Sequence, residues 1–205
     1  MVFKHAGGAG RVGRSLNATV PARLLARRHG AQEIALFRPR MVRRLVLAGT
    51  GPRGGGHRMH GWIFDIEQTA NAANNGLEDL LHIFIFFDIT ETSRALGRQY
   101  VQRVFSRQEG QDKPNGPEVT RAQYDAIVEW GIPDASQLNR LAGITPPTLV
   151  ANGDNDMMIP TINSQLLADH LPNARLRIYP NAAHGFLFQY PRQFAELVNE
   201  FLSVP

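Results

Sequence analysis

Two short stretches hold residue types that do chemistry together. LVANGDNDMMIP (149–160) runs from an apolar strand into a turn carrying Asp156, and YPNAAHGF (179–186) runs from a second strand into a loop carrying His184. In open α/β sheets, ligands gather at the carboxyl ends of strands, and both residues stand just past such an end. A neutral histidine there can act as a general base. A carboxylate aimed at it fixes its tautomer and stabilises the imidazolium. Singly, each has a plainer explanation: Asp, Asn and Gly are common turn formers, and a histidine beside glycine is common in a half-exposed loop. Their joint position favours chemistry. The two follow successive strands, 28 residues apart, so neighbouring strand ends would bring them within hydrogen-bond reach. An acid oriented toward a base is two-thirds of a triad.

The elements that must position them are legible from patterning. A short helix is expected over residues 31–37, with Ile34, Ala35 and Leu36 available for burial and Arg38-Pro39 ending it. Residues 44–48 contain Leu45-Val46-Leu47, bounded by Arg residues and by Gly49-Thr50-Gly51-Pro52, the pattern of a strand buried on both faces. Amphipathic helices are predicted at about 77–86, 91–107 and 117–130. In the second, Leu96, Tyr100, Val101, Val104 and Phe105 share helical spacing, Thr90 suits the N-cap, and Pro117 suits the first turn of the third. Strand and helix then alternate: strand 148–151, helix 161–170, strand 175–179 with Leu176 and Ile178 on one face, and helix 191–202 with Phe194, Leu197, Val198 and Phe201 on one side. That alternation implies an α/β fold with a parallel sheet and crossover helices.

Composition narrows the function classes. The 205 residues and their 43% hydrophobic content are enough for one domain with a core. The absence of cysteine excludes a disulfide scaffold, a thiolate zinc site and a cysteine nucleophile. The strongly apolar run 81–87 is far shorter than the roughly 20 residues a membrane helix needs, and residues 1–14 lack the apolar core of a secretory signal. A cytoplasmic location is the expectation, with no membrane partner. Residues 1–30 hold six basic and no acidic side chains. Residues 31–205 hold 16 basic and 18 acidic, so the net charge of +4 belongs entirely to the first 30. Only Phe3 interleaves aromatic character with those charges, which makes a nucleic-acid partner the weaker expectation. His57 and His60 lack the further ligands a metal site would need, and neither a metal nor a cofactor is expected.

Two segments together resemble the α/β-hydrolases, particularly the cofactor-free haloperoxidase-like and esterase-like members. They are AQEIALFRPRMVRRLVLAGTGPRGG (31–55) and residues 144–202, with GDNDMMIP, LADHLPNARLRIYPNAAHG and FQYPRQF. The G-x-x-D-x-x-x-P pattern at Gly153, Asp156 and Pro160, followed by His184-Gly185, carries the likeness. The resemblance implies that Asp156 is the triad acid and His184 the triad base. It also implies a small-molecule acyl substrate, and it divides the chain into residues 31–55 as core helix and strand, 56–140 as an inserted helical cap, and 141–205 as the C-terminal α/β core.

The departure from the family pattern is equally specific. A G-x-S-x-G nucleophile elbow belongs immediately before the segment matching AQEIAL. This sequence has RLLARRHG (23–30) there, with no serine, and Gly13-Arg14-Ser15-Leu16-Asn17 lies about ten residues too early for Ser15 to serve. The expected fold is therefore N-terminally incomplete, with an unpaired sheet edge and poor solubility or dependence on a partner. RLLARRHG written in CGN, CTN, GCN, CAY and GGN codons and read one base later gives, with suitable third bases, GFSLGGMV, an elbow running into AQEIAL. The sequence thus suggests that residues 1–30 are irregular, disordered or out-of-frame translation. AGA or AGG codons at Arg27 and Arg28 would rule the last out. Two functions follow: hydrolysis of small esters or related acyl compounds by a Ser-His-Asp mechanism in the complete pattern, inactive as encoded without its elbow, or a non-catalytic small-ligand module on the same scaffold.

Overall fold

The apolar run after Arg44 and the one after Pro147 pair side by side. In the computed structural model, which describes residues 30–55, 85–106, 109 and 117–204, three strands form a parallel sheet. They are β1 (Leu45–Ala48), β2 (Thr148–Gly153) and β3 (Ala174–Tyr179), in that spatial order. Val46 stands beside Leu149, and Val150 lies between Leu47 and Leu176. All six residues of β2 are buried, which is why its Leu149-Val150-Ala151 run is continuously apolar rather than alternating. β3 lies at the edge among the described strands. Its Arg175 and Arg177 are exposed while Leu176 and Ile178 are half-buried.

Helices cover both faces. On one side α1 (Gly30–Phe37) and a helix after β2, Ile162–His170, pack Ala31, Ala35, Leu167 and Leu171 against Leu45, Leu47 and Val150. On the other, the last helix, Pro191–Ser203, presents Phe194, Leu197, Val198, Phe201 and Leu202 to Val46 and Leu149. The two-residue period of β1 and β2 thus feeds two separate cores. Between β1 and β2 the described chain is helical. It contains α2 (Glu91–Ser106), α3 (Pro117–Trp130) and the four-residue α4 (Ala135–Leu138), so the two helices after them in chain order are α5 (Ile162–His170) and, following the short α6 (Phe186–Gln189), α7 (Pro191–Ser203).

Element ends agree with local chemistry. Thr90 Oγ1 accepts the Ser93 N–H, as its N-cap position predicts, and α3 begins at Pro117. Asp134 caps α4. The Ser136 hydroxyl and N–H both donate to it, and those bonds hold its carboxyl below the usual range. Two expectations change. Ile34 is 38% exposed, and the buried face of α1 is Ala31, Gln32, Glu33 and Ala35, because the helical turn that points Ala31 and Ala35 inward carries Ile34 outward. β2 runs two residues beyond Ala151, to Gly153, because Asn152 and Gly153 continue the ladder opposite Ile178 and Tyr179. Residues 1–29 and most of the 77–86 helix lie outside the described residues, as do the side chains of Val104 and Phe105. Among the described residues, no helix is long and apolar enough to cross a membrane.

Candidate active site

The turn after β2 is organised by its own polar side chains. Asn152, fully buried, donates from Nδ2 to the Ile159 carbonyl at 3.1 Å and accepts the Gly153 N–H at 2.9 Å. Asp156 then folds inward. Its Oδ1 accepts the N–H groups of Met158 (2.8 Å) and Ile159 (2.9 Å), an Asx-type turn that satisfies backbone donors in a buried loop. Its other oxygen, Oδ2, lies 2.8 Å from Nδ1 of His184. The Asp156 side chain is fully buried, and that of His184 keeps 19% of its surface exposed.

The histidine loop is fastened to the acid loop from below. Asp154 accepts the N–H groups of Asn181 (2.9 Å) and Ala182 (3.0 Å), and the Asn155 N–H donates to the Ala182 carbonyl (2.9 Å). Asn181 sits at φ +50°, a conformation asparagine tolerates better than most residues. The approach is so close that a Cβ on Gly153 would stand 2.1 Å from the Ala182 carbonyl oxygen, which accounts for the glycine of the G-x-x-D pattern. Tyr179, at the end of β3, is buried in an aromatic cluster with Phe186, Tyr190 and Phe194. Burial pushes its phenol above the usual range against the opposing pull of Arg177.

An ionised carboxylate only accepts hydrogen bonds, so the short contact to Oδ2 suits the imidazole tautomer with its proton on Nδ1, in which Nε2 carries the free lone pair. The ring is held from two further sides. Phe86 stands edge-on to it, centroids 5.4 Å apart and planes at 88°. Gly49, in the loop after β1, faces it at φ +57°, and a Cβ there would lie 3.0 Å from Cε1 and 3.3 Å from Nδ1. Gly49→Ala is expected to tilt the imidazole off Asp156 and to cost about 2 kcal/mol through left-handed strain and overpacking. Urea unfolding of the variant measures the second effect, and the low-field imidazole proton resonance measures the first.

The structure brings together Asp156 and His184, as the sequence predicts. Ser15, His57 and His60 lie outside the described residues. Sequence reasoning missed Gly49, Asp154 and Asn155, which shape the site without reacting. The one available signal was the loop composition around them. Among the described residues, no group of three His, Asp or Glu side chains could hold a metal ion.

No protein-family model matches the chain. It is 32% identical to an α/β-hydrolase fold protein from Chitinophaga pinensis, superposing with a TM-score of 0.75 over 85% of this chain and 61% of that one. The chain belongs to the α/β-hydrolase fold family. Within that family it is 27% identical, over 85% of its length, to a 2-hydroxy-6-oxononadienedioate/2-hydroxy-6-oxononatrienedioate hydrolase from Pseudomonas putida, covering 59% of that protein. A shorter match, 38% over 66 residues, is to a non-heme haloperoxidase of Rhodococcus erythropolis. The chain thus spans about three-fifths of the length of these first two relatives.

Proposed function

We propose that Asp156 and His184 are the acid and base of a Ser-His-Asp acyl-transfer site for small esters or related acyl compounds, and that residues 56–140 form a helical cap above it. The observation that carries this is the 2.8 Å contact between a fully buried carboxylate and Nδ1 of a partly exposed imidazole, at the ends of neighbouring parallel strands. In such a site Nε2 takes the proton of a serine hydroxyl as the oxygen attacks the carbonyl, then returns it to the leaving group. The carboxylate holds the tautomer and balances the imidazolium. The relative named for a dioate substrate supports a small-molecule acyl compound.

No G-x-S-x-G occurs anywhere in the 205 residues. This chain by itself is therefore expected to turn over 4-nitrophenyl acetate no faster than an equimolar noncatalytic protein, with His184→Ala making no difference. Robust turnover that disappears in His184→Ala yet survives Ser15→Ala would overturn the claim that the chain lacks its own nucleophile. The same missing elbow favours a second role, a scaffold that binds a small acyl ligand without turning it over. Saturable binding of such a ligand, lost in His184→Ala and leaving no covalent adduct by mass spectrometry, would support it.

A further inference from the structure

The segment entering α2 is fastened to both loops of the site. The Gly185 N–H, next to His184, donates to the Phe86 carbonyl at 2.7 Å. Two residues on, the buried Asp88 accepts from Asn155 Nδ2 at 2.9 Å through Oδ2, and from the Ile89 N–H through Oδ1. The Asp88 N–H donates to Ser93 Oγ, and that hydroxyl donates to Gln189 Oε1 on α6 at 2.6 Å. Asn155 immediately precedes Asp156, and its own N–H is bonded to the histidine loop at Ala182. Among the described residues no cation pairs with Asp88. Its carboxylate is thus buried on neutral donors alone, and those donors, Asn155 Nδ2 and the Ile89 N–H, depend on it for their bonds.

We propose that Asp88 is a positioning residue: acting through Asn155, it sets the acid loop so that Asp156 meets Nδ1 of His184, and it thereby ties the seat of α2 to the geometry of the pair. This rests on the assignment of Asp156 and His184 as acid and base. The coupling is physical and short. The Asn155 side chain reaches up to Asp88 in the segment entering α2, its backbone reaches across to Ala182, and the next residue is the acid. A shift of α2 that breaks the Asp88–Asn155 bond releases the middle of the three-residue turn, Asp154 to Asp156, that holds the two loops in register.

The test uses the full chain and reads the low-field Nδ1 proton of His184 by NMR, together with its exchange rate with water. Asp88→Ala and Asn155→Ala are each expected to speed that exchange about tenfold, with the double variant no faster than either single, because both break one bond. Asp88→Asn can turn its one carbonyl oxygen to Asn155, giving up only the adjacent Ile89 bond, and is expected to stay close to the parent. Exchange unchanged in both alanine variants, or effects that simply add, would overturn the proposal even if the thermal midpoint fell. Where Asp88→Ala does not fold, Asn155→Ala against Asp88→Asn gives the same decision. If the low-field proton is missing in the parent or persists in Asp156→Asn, the acid–base pairing itself fails and positioning fails with it. If it is present, is lost in Asp156→Asn and ignores Asp88, positioning alone fails.

Discussion

Asp156→Asn is expected to leave the fold in place and to remove the His184–Asp156 interaction almost completely. The side chain serves two masters. Oδ1 accepts from Met158 and Ile159, and an asparagine carbonyl oxygen does that equally well. Oδ2 faces Nδ1 of His184 at 2.8 Å, and there asparagine would present an NH₂ group. A donor facing a donor forces the imidazole to turn its lone pair to Nδ1 and its proton to Nε2, the wrong tautomer for a base. The low-field imidazole proton should vanish while the unfolding midpoint moves little. Any hydrolysis that depends on His184, in this chain or in one supplied with a nucleophile, should fall about 10⁴-fold, the size seen when the orienting aspartate of a serine triad is amidated. A variant that keeps the proton signal would show that Asp156 does not orient the ring.

The largest stability effect is expected away from the pair, at Arg140. Its guanidinium grips Glu33 of α1 with two bonds of 2.9 and 2.8 Å. Glu33 is only 4% exposed and Arg140 31%. Arg53 adds a longer contact to Glu33 at 3.9 Å, reaches Glu129 at 3.6 Å, and lies over the Trp130 ring. Arg140→Met removes the close partner and strands the carboxylate, which should cost about 3 kcal/mol. That is the low end for a broken buried pair, because Arg53 remains nearby. Glu33→Met is expected to cost less, since the partly exposed guanidinium can turn to water. The double variant should recover most of the loss, as apolar replacements of whole ion pairs often do. Urea unfolding of the three variants checks all of this. Equal losses in Arg140→Met and the double variant would show that desolvation of Glu33 is not the cause.

The consequence reaches the site through one loop. The Gly51 carbonyl accepts from Gln32 Nε2 on α1 and from Trp130 Nε1 on α3, both at 3.0 Å. Two residues earlier, Gly49 borders the His184 ring. The Glu33–Arg140–Arg53 cluster therefore braces the loop that limits the imidazole on one side, as the Asp88–Asn155 bond braces the acid on the other.

Legibility in the sequence followed the range of the interactions. The strands around Leu45-Val46-Leu47 and Leu149-Val150-Ala151 were readable because burial on both faces demands a continuous apolar run, and α7 because one face alone is buried. α4 and α6, four residues each, were not readable, since so short a helix has no period to detect. Ile34 was misplaced because three consecutive apolar residues do not say which direction faces the core.

The sequence by itself determined which residues could do the chemistry. An acid and a histidine, each just beyond a strand, are a local pattern, and the absence of a G-x-S-x-G is a local fact. Only the tertiary structure decided their geometry: the 2.8 Å contact, the glycine at 49 that leaves room for the ring, and the Asp88, Glu33 and Arg140 side chains that hold the loops. Those partners lie 67 residues apart for Asp88 and Asn155, and 107 for Glu33 and Arg140. A charged or amide side chain carries no mark of the partner it will meet. The register of a parallel sheet and the packing of helices across it choose that partner, and both are settled by burial summed over the whole chain.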